Sequence, residues 1–451
     1  MTDNICAIST ALGVGAISII RISGPDAIKI ANSIFQGPNL EDATSHTIHH
    51  GFIVDKNENI DEVLISVMRS PKTFTTENIV EINCHGGIAT TNKILELLLT
   101  KGIRLAEPGE FTKRAFLNGR IDLIEAESIS DLIYSKTDNA RKLAMSGVEG
   151  RLGSVIKEAR SSILEIMANI EVNIDYPEYE DAIEVTNELL KTKLNEITIN
   201  LNNLLETSKN GKLIKEGIKV ALIGRPNVGK SSILNAFLDE ERAIVTDIAG
   251  TTRDTVEGNI SLNGILLNII DTAGIRETED IIESIGVEKS NKVMNDADLI
   301  IYILANNEKI MDSDIEIIEK ITPEKLIIFI NKDDEKLNGN FDVLDNYNVI
   351  FGNTKELNGL DRLKERIIEK FNLSEISSGD FTYLSNARQI GLVRNALKHI
   401  KDAKEQAEKN IPVDMIAIDI RSCWDILGEI IGETYKDELL DELFNKFCLG
   451  K

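Results

Sequence analysis

The chain has 451 residues, of which 42% are hydrophobic, and it carries a formal net charge of −24 at pH 7. This length predicts two to four globular domains, and the acidic balance excludes general basicity as the source of affinity for nucleic acid. Its uninterrupted apolar stretches are too short to cross a bilayer, and its four scattered cysteines without CxxC spacing are typical of reduced, cytosolic thiols.

Residues 1–118 mix short β-like runs with Gly and Pro, which predicts an α+β domain that begins as strand, turn and strand. Two charges interrupt apolar runs in this region: Arg21 lies within 17–22 and Glu81 within 79–82. A charge inside such a run is paired or functional if it is buried. It can equally face water from an edge strand, and the sequence leaves both readings open.

Residues from about 120 to 208 have a helical pattern, with apolar side chains at spacings of three and four between Ala159 and Ile174. Pro177 ends this helix, and a second stripe begins at Leu190. Such stripes are far more typical of a helical bundle core than of a catalytic surface. The pattern returns after 377–379, so we predict a helical domain in two parts, 119–215 and 377–451.

The segment between these parts, 216–376, contains the sequence GRPNVGKS at 224–231, between an apolar run and a helical stretch. This strand, loop and helix context is what a phosphate-binding loop requires. Its glycines let backbone N–H groups surround a phosphate, Lys230 adds positive charge, and the Ser231 hydroxyl can bind Mg²⁺. Alternating strand and helix patterns predict a Ras-like, doubly wound α/β domain.

Two further motifs follow, DTAG at 271–274 and NKDD at 331–334. In the first, Asp271 would hold Mg²⁺ through water and the Gly274 N–H would meet the γ-phosphate, and the second selects the base. Asp334 can accept two hydrogen bonds from guanine N1–H and its 2-amino group, whereas adenine would leave that carboxylate unpaired, so we predict GTP. The segment 353–355, NTK, stands where SAK is usual in small GTPases. The predicted GTP-binding residues are Asn227, Val228, Gly229, Lys230, Ser231, Ser232, Thr246, Asp247, Ile248, Ala249, Gly250, Thr251, Thr252, Asp271, Thr272, Ala273, Gly274, Asn331, Lys332, Asp334, Asn353, Thr354 and Lys355.

Hydrolysis needs a group other than the glutamine that Ras-like enzymes place after DxxG, because Ile275 occupies that position and cannot orient water. The side-chain oxygen of Asn227 and the hydroxyls and carbonyls of 244–254 suit a hard monovalent cation. Such a cation could neutralise charge that develops at the phosphates. Asn227 can also be read as an ordinary turn residue after Pro226, and this alternative stays open.

Long motifs along the whole chain resemble the MnmE (TrmE) family of tRNA-modifying GTPases. They are IIRISGP at 19–25, FTTENIVEINCHGG at 74–87, AEPGEFTKRAFLNG at 106–119, VTDIAGTTRD at 245–254 and FCLGK at 447–451. The resemblance implies a multidomain fold with an α+β folate-binding-like and dimerisation domain at the N-terminus, an α-helical bundle domain and an inserted GTPase domain.

The resemblance also implies metal sites and catalytic residues. Asn227, Thr246, Ile248 and Thr251 would surround K⁺, and Ser231 and Thr252 would bind Mg²⁺. The candidate catalytic residues are Glu283, Arg276 and Cys448, of which Glu283 would help to order the attacking water. Without the resemblance, Glu283 reads as one acid of a solvated charged loop. The resemblance implies a reactive thiol at Cys448, and a small buried hydrophobe fits the sequence at least as well.

Four residues match the family's binding site for a tetrahydrofolate derivative: Arg21, Glu81, Arg120 and the terminal Lys451. Many relatives have lysine where this chain has Arg120. The positive charge is kept there, but its geometry differs.

The function that we expect from these features is a cytoplasmic homodimer that acts on tRNA and neither on DNA nor at a membrane. With the FAD-dependent MnmG protein it would form a heterotetramer that modifies C5 of the wobble uridine, with FAD supplied only by the partner. The alternative is a ribosome-assembly GTPase switch of the Era or Der kind. Such a switch would need neither the block around Glu81 and Phe111 nor the FCLGK ending.

Overall fold

A computed structural model describes residues 3–175, 185–240, 258–271, 293–336, 341–356, 359–434, 437–447 and 450. The chain divides into two compact units. Unit 1 consists of Met1–Ser130, Gly147–Leu201 and Gly391–Lys451, and unit 2 consists of Asp131–Ser146 and Asn202–Ile390. Each unit therefore combines segments that lie far apart in the sequence.

The N-terminal part of unit 1 is built on a seven-stranded sheet. Its strands are β1 (Ile5–Ile8), β2 (Ile17–Ser23), β3 (Phe35–Gln36), β4 (Thr47–Asp55), β5 (Glu58–Met68), β6 (Ile79–His85) and β7 (Arg104–Leu105). The order is β3-β4-β5-β6-β2-β1-β7, and every pair is antiparallel except β1 with β7. The predicted strand, turn and strand at the start of the chain are confirmed.

The two faces of this sheet are covered differently, because side chains alternate along each strand. On one face Ile20 and Ile22 pack with the helices α1 (Ala27–Asn32) and α2 (Ile88–Thr100). On the opposite face Ile5 and Ala7 of β1 pack with Phe111 of α3 (Glu110–Leu117). Arg21 lies between Ile20 and Ile22 in β2 and therefore points to the α3 side.

The first helical segment contains α4 (Leu123–Tyr134), α5 (Asp138–Val148), α6 (Arg151–Asp175) and α7 (Asn187–Glu216). The predicted stripe of α6 is buried at Ile163, Ile166 and Ile170, but Ile174, the last but one residue of the helix, is exposed. Helix α7 continues eight residues beyond the predicted limit of 208. Its apolar face extends to the buried Ile214, and Gly217 with φ 77° separates it from the next strand.

Unit 2 contains a six-stranded sheet with helices on both sides. Its elements are β8 (Ile218–Ile223), α8 (Lys230–Glu240), β9 (Gly258–Leu262), β10 (Ile265–Asp271), β11 (Leu299–Ala305), α9 (Asp312–Lys320), β12 (Leu326–Asn331), β13 (Val349–Phe351), α10 (Asp361–Lys370) and α11 (Leu373–Ser377). The order is β13-β12-β11-β8-β10-β9, and only the β9–β10 pair is antiparallel.

The central strands β11 and β12 are buried along their whole length, as expected for parallel strands that are covered on both faces. Ile301 and Ile303 belong to the core on one face, and Ile300 and Tyr302 belong to the core on the other. The predicted doubly wound α/β domain is therefore confirmed.

The second helical segment contains α12 (Ala387–Glu408), α13 (Val413–Ile431) and α14 (Asp437–Phe444). Helix α6 meets α13 where the guanidinium of Arg160 lies 4.2 Å from the ring centroid of Trp424 and donates to its carbonyl at 3.2 Å. The fold class is thus confirmed as an α+β N-terminal region, a helical domain in two chain segments and an α/β domain between them in sequence. Within the described ranges, no helix is both long and apolar enough to cross a membrane.

Candidate nucleotide and cofactor sites

The phosphate loop joins the carboxyl end of β8 to the first residue of α8, as its sequence predicts. Lys230 Nζ donates to the carbonyls of Gly224 at 3.0 Å and Arg225 at 2.8 Å. Gly229 has φ 102°, and a Cβ there would lie 2.1 Å from Nδ2 of Asn331, so only glycine fits. The lysine ammonium is therefore held within the loop that would surround a phosphate group.

The NKxD segment is tied directly to this loop. Asn331, the last residue of β12, donates from Nδ2 to the carbonyl of Val228 at 2.9 Å, and Lys332 Nζ donates to the carbonyl of Asn227 at 3.1 Å. The Asn331 side chain is buried, and its Oδ1 finds no hydrogen-bond donor among the described residues. The structure thus brings together two motifs that are about a hundred residues apart in the sequence.

The two segments predicted to contact guanine also meet each other. Lys355 Nζ donates to Asp334 Oδ2 at 2.7 Å, and this hydrogen bond holds the pKa of the Asp334 carboxyl below its usual value. Asn353 donates from Nδ2 to Asp333 Oδ1 at 2.7 Å and accepts the backbone N–H of Lys355 at 3.1 Å. A lysine therefore pairs with the carboxylate that we predict to read guanine.

Ser231 and Ser232 lie in the first turn of α8 and are exposed, as is Asn227 in the loop. The amide oxygen of Asn227 and the hydroxyl of Ser231 fit the predicted K⁺ and Mg²⁺ sites, since hard cations prefer oxygen ligands. Asp271 is the last residue of β10 and lies opposite Leu222 of β8.

Other predicted site residues, and the side chain of Asp271, lie outside the described residues. The residues are Thr246, Asp247, Ile248, Ala249, Gly250, Thr251, Thr252, Thr272, Ala273, Gly274, Arg276, Glu283, Cys448 and Lys451.

Arg21 and Glu81 face each other directly across β2 and β6. Glu81 Oε1 accepts from Arg21 Nε at 2.9 Å and Nη2 at 2.7 Å, and the two side chains are only 19% and 23% exposed. Both strands are interior strands of the sheet. The edge-strand reading is therefore wrong, and the reading as a paired charge is confirmed.

Aromatic rings surround this pair and connect it to a third predicted cofactor residue. The guanidinium carbon of Arg21 lies 5.9 Å from the ring centroid of Phe74 and 5.6 Å from that of Phe111. Arg120 lies 4.9 Å from the same Phe74 ring and donates to the Phe74 carbonyl at 3.0 Å. The guanidinium groups of Arg21 and Arg120 thus lie against the same aromatic ring, at distances that allow cation–π attraction.

Gly450, the last but one residue of the chain, also lies beside Arg21. The Gly450 carbonyl accepts from Ser9 Oγ at 3.0 Å and from Arg21 Nη1 at 3.5 Å. Gly450 has φ 88°, and a Cβ there would lie 2.3 Å from the carbonyl of Ile8, so this approach requires glycine. The structure therefore brings Arg21, Glu81 and Arg120 together and places next to them the residue that precedes Lys451.

A cluster of charges around a buried arginine, beside this site, was missed at the level of sequence. We call it the Arg114 cluster, and it consists of Asp3, Glu77, Arg104, Glu110 and Arg114. The fully buried Arg114 donates to Asp3 Oδ1 and Glu110 Oε1 at 3.0 Å and to both Glu77 oxygens at 3.1 Å, and Arg104 donates to Glu110 at 2.7 Å. One signal could have revealed it, because Glu110 and Arg114 are four residues apart on a helix whose Phe111 is apolar.

Two carboxyls of the cluster, Glu110 and Asp3, have lowered pKa values. Burial by itself would raise the pKa of Glu110, but hydrogen bonds from Arg104, the backbone N–H of Glu107 and Arg114 outweigh burial and lower that pKa. The hydrogen bond from Arg104 likewise lowers the pKa of Asp3. Such a cluster holds α3, and with it Phe111, against the sheet.

The α/β domain and its linked loops define a P-loop nucleotide-binding protein that also carries a charged, aromatic-lined site on a separate α+β domain. Two family models match this combination: "GTP-binding protein TrmE N-terminus" matches residues 4–120 and "MnmE helical domain" matches residues 123–448. The chain belongs to the MnmE (TrmE) family.

Its similarity to curated relatives extends over the full length. The protein named tRNA modification GTPase MnmE of Bacillus mycoides (strain KBAB4) is 51% identical over 458 residues, and that of Bacillus anthracis is 50% identical over 458 residues. The protein of the same name from Staphylococcus aureus (strain Newman) is 50% identical over 456 residues. Each alignment covers 100% of this chain and 99% of the relative.

Proposed function

We propose that the chain is a potassium-activated GTPase that works with MnmG to add an aminomethyl or carboxymethylaminomethyl group to C5 of uridine 34 in certain tRNAs. The observation that carries this proposal is the full-length identity of about half to proteins named tRNA modification GTPase. The alternative, a ribosome-assembly switch, does not account for the N-terminal site that accompanies the phosphate loop.

The nucleotide site supports GTP as the substrate. Asn331 and Lys332 connect the guanine-reading segment to the phosphate loop, so base and phosphates would be recognised by one linked unit. Lys230 would contact the β- and γ-phosphates, Ser231 would bind Mg²⁺, and Asn227 would help to bind K⁺. The cations would neutralise charge on the phosphates during hydrolysis.

The N-terminal site supports a tetrahydrofolate derivative, which supplies a one-carbon unit when bound. A ligand with a flat heteroaromatic ring and carboxylates suits a site with the guanidinium groups of Arg21 and Arg120, the ring of Phe74 and the carboxylate of Glu81. Both hydrogen bonds that Arg21 donates to Glu81 fall on Oε1, so Oε2 is the oxygen that a ligand N–H could reach. Lys451 would add a further positive charge.

We further propose a cytoplasmic homodimer that joins MnmG in a heterotetramer, with FAD bound only by MnmG. The net charge of −24 favours a partner that carries much of the tRNA contact. The buried thiols of Cys6 and Cys423, whose pKa values burial raises to about 12, are consistent with a reducing compartment.

Analysis of tRNA nucleosides tests the proposal. In cells that lack this chain, we expect mass spectrometry to show loss of the C5-aminomethyl-type uridines. Wild type should restore them, and Glu283→Ala should not if modification needs hydrolysis. Unchanged nucleosides in the deletion strain would favour the ribosome-assembly switch.

Binding of 5-formyltetrahydrofolate tests the cofactor site separately. Glu81→Gln should weaken binding about tenfold, the effect of losing one charged hydrogen bond. Glu62→Gln is the matched control, because Glu62 is an exposed acid of β5 that pairs with His50 at 2.7 Å. Equal binding by wild type and Glu81→Gln would refute the assignment of Glu81.

A further inference from the structure

We infer that Arg225, the second residue of the phosphate loop, is a positioning residue for GTP, and that the buried carboxylate of Asp314 fixes it in place. The loop carries the N–H groups that would surround the phosphates, so an anchor outside the loop would determine where those groups lie before the nucleotide arrives. This inference rests on the proposed GTPase function and names a further residue of the same site.

Asp314 lies in the first turn of α9 and its side chain is only 1% exposed. Its Oδ1 accepts from the hydroxyl of Tyr302 in β11 at 2.9 Å, and its Oδ2 accepts from the backbone N–H of Met311 at 2.9 Å. These bonds attach the carboxylate both to the sheet and to the start of the helix. A carboxylate buried this deeply requires a cationic partner as well.

Arg225 supplies that cation from within the phosphate loop. Its Nε lies 3.3 Å from Asp314 Oδ2, its Nη2 lies 3.3 Å from Glu308 Oε2, and Nη2 also donates to the Lys309 carbonyl at 2.9 Å. The Lys309 carbonyl accepts a hydrogen bond, whereas the carboxylates of Asp314 and Glu308 are ion-pair partners, and all three lie between 308 and 314, outside the loop. The planar guanidinium can contact several acceptors at once, which the ammonium of a lysine cannot do in the same geometry.

The backbone of Arg225 connects this anchor to the phosphate-binding lysine. Its carbonyl accepts from Lys230 Nζ at 2.8 Å. The later part of the loop is held independently, because the carbonyls of Asn227 and Val228 accept from Lys332 and Asn331. The loop is thus fixed at two places, and loss of the Arg225 anchor would release only the first.

The expected result is a loss of binding with little change in turnover. The loop would contact the phosphates in the ground state and in the transition state alike, so a misplaced loop weakens both. For Arg225→Ala we expect the KM for GTP and the Kd for GDP to rise about tenfold, while kcat changes less than threefold. Arg225→Lys should give an intermediate KM, because lysine keeps the positive charge but lacks the planar guanidinium with its several N–H donors.

A double-mutant cycle tests the route through Asp314. Asp314→Asn should raise KM as Arg225→Ala does, and the double variant should be no worse than the poorer single variant. Arg366→Ala is the matched control, since Arg366 pairs with Glu369 at 2.9 Å on the surface of α10 in the same unit. That control should leave the KM for GTP unchanged.

Three outcomes would overturn the inference. A KM within twofold of wild type in a folded Arg225→Ala protein with a lowered Tm would show a purely structural role. If the KM of the double variant rises by the product of the two single-variant effects, the two residues act independently and the route through Asp314 is excluded. A wild-type chain that neither binds nor hydrolyses GTP would remove the proposed function itself. If Arg225→Ala does not fold, the cycle is run with Arg225→Lys.

Discussion

In the N-terminal site, Arg21 and Arg114 pair with carboxylates, whereas at the phosphate loop Lys230 and Lys332 donate to backbone carbonyls of the loop itself. Arg21 meets Glu81 across two strands, and the buried Arg114 meets three acidic side chains. Lys230 and Lys332 instead bond to carbonyls of the phosphate loop. The two arginines of the N-terminal site and the two lysines at the phosphate loop are thus held by different chemistry.

The difference determines whether a positively charged side chain can leave its present partners to bind a ligand. A carbonyl that loses its lysine can turn to water, so Lys230 can move to a phosphate at small cost. Arg114 cannot leave its partners at small cost, because it is fully buried and Glu77 would lose its cationic partner. The nucleotide site is therefore suited to repeated binding and release, and the N-terminal cluster is suited to holding a fixed surface for Arg21 and Phe111.

We expect the largest effect, a loss of stability, from removal of the buried guanidinium of Arg114. Arg114→Met should destabilise unit 1 by about 3–5 kcal/mol, because Glu77 would stay largely buried without its cationic partner and Glu110 would keep only Arg104. Urea unfolding followed by fluorescence measures this, since Trp424 is the one tryptophan of the chain and lies in unit 1. The control Arg151→Met, at an exposed pair with Glu149, should shift stability by less than about 1 kcal/mol. Equal urea midpoints for Arg114→Met and wild type would contradict the role of the cluster.

Removal of the guanine-reading charge should have the next largest effect. Asp334→Asn should weaken GTP binding at least about 100-fold and favour xanthine nucleotides, because the amide cannot accept both guanine hydrogen bonds. Competition against a fluorescent guanine nucleotide measures the change. Asp312→Asn, an exposed acid in the same unit, is the control. Unchanged affinity for GTP in Asp334→Asn would refute the assignment of the base.

Acid should weaken the N-terminal cluster by less than Arg114→Met does. The folded pKa of Glu110 lies below its ordinary value of 4.5, so the unfolded chain binds more protons in that range. The stabilisation is therefore complete above about pH 4.5 and is lost as the pH falls through the folded pKa. Urea unfolding between pH 7 and 3.5 should show the loss in wild type and a shallower loss in Glu110→Gln. If the free energy of unfolding falls with pH in parallel for wild type and Glu110→Gln, Glu110 contributes nothing to the loss of stability in acid.

The smallest effect concerns the lysine that pairs with the guanine-reading carboxylate. Lys355 is 66% exposed, so its pair with Asp334 is weak. Lys355→Met should tighten GDP binding by less than about fivefold, because guanine no longer competes with the ammonium. The difference should shrink as salt is added. Weaker binding in this variant, with Lys320→Met unchanged, would show that Lys355 supports the site instead.

Motifs that work through neighbouring backbone groups could be predicted well. The phosphate loop, the NKxD segment and the helical stripes follow from local spacing, and the structure has each of them in the predicted context. For Arg21 and Glu81, whose charges interrupt apolar runs, the sequence leaves open a paired or functional charge and a charge that faces water from an edge strand. Their direct pairing depended on strand order, which local patterns do not contain.

The sequence by itself determined the strand, loop and helix of the nucleotide site, the choice of guanine and the periodicity of the helical domain, since these depend on residues within a few turns or strands. Only the tertiary structure decided which carboxylates pair with Arg114 and that Asp314 meets Arg225. The chain has 50 Lys and Arg and 74 Asp and Glu, and spacing does not say which of them meet. Charge attraction becomes strong only where folding removes water, and that depends on contacts between distant segments.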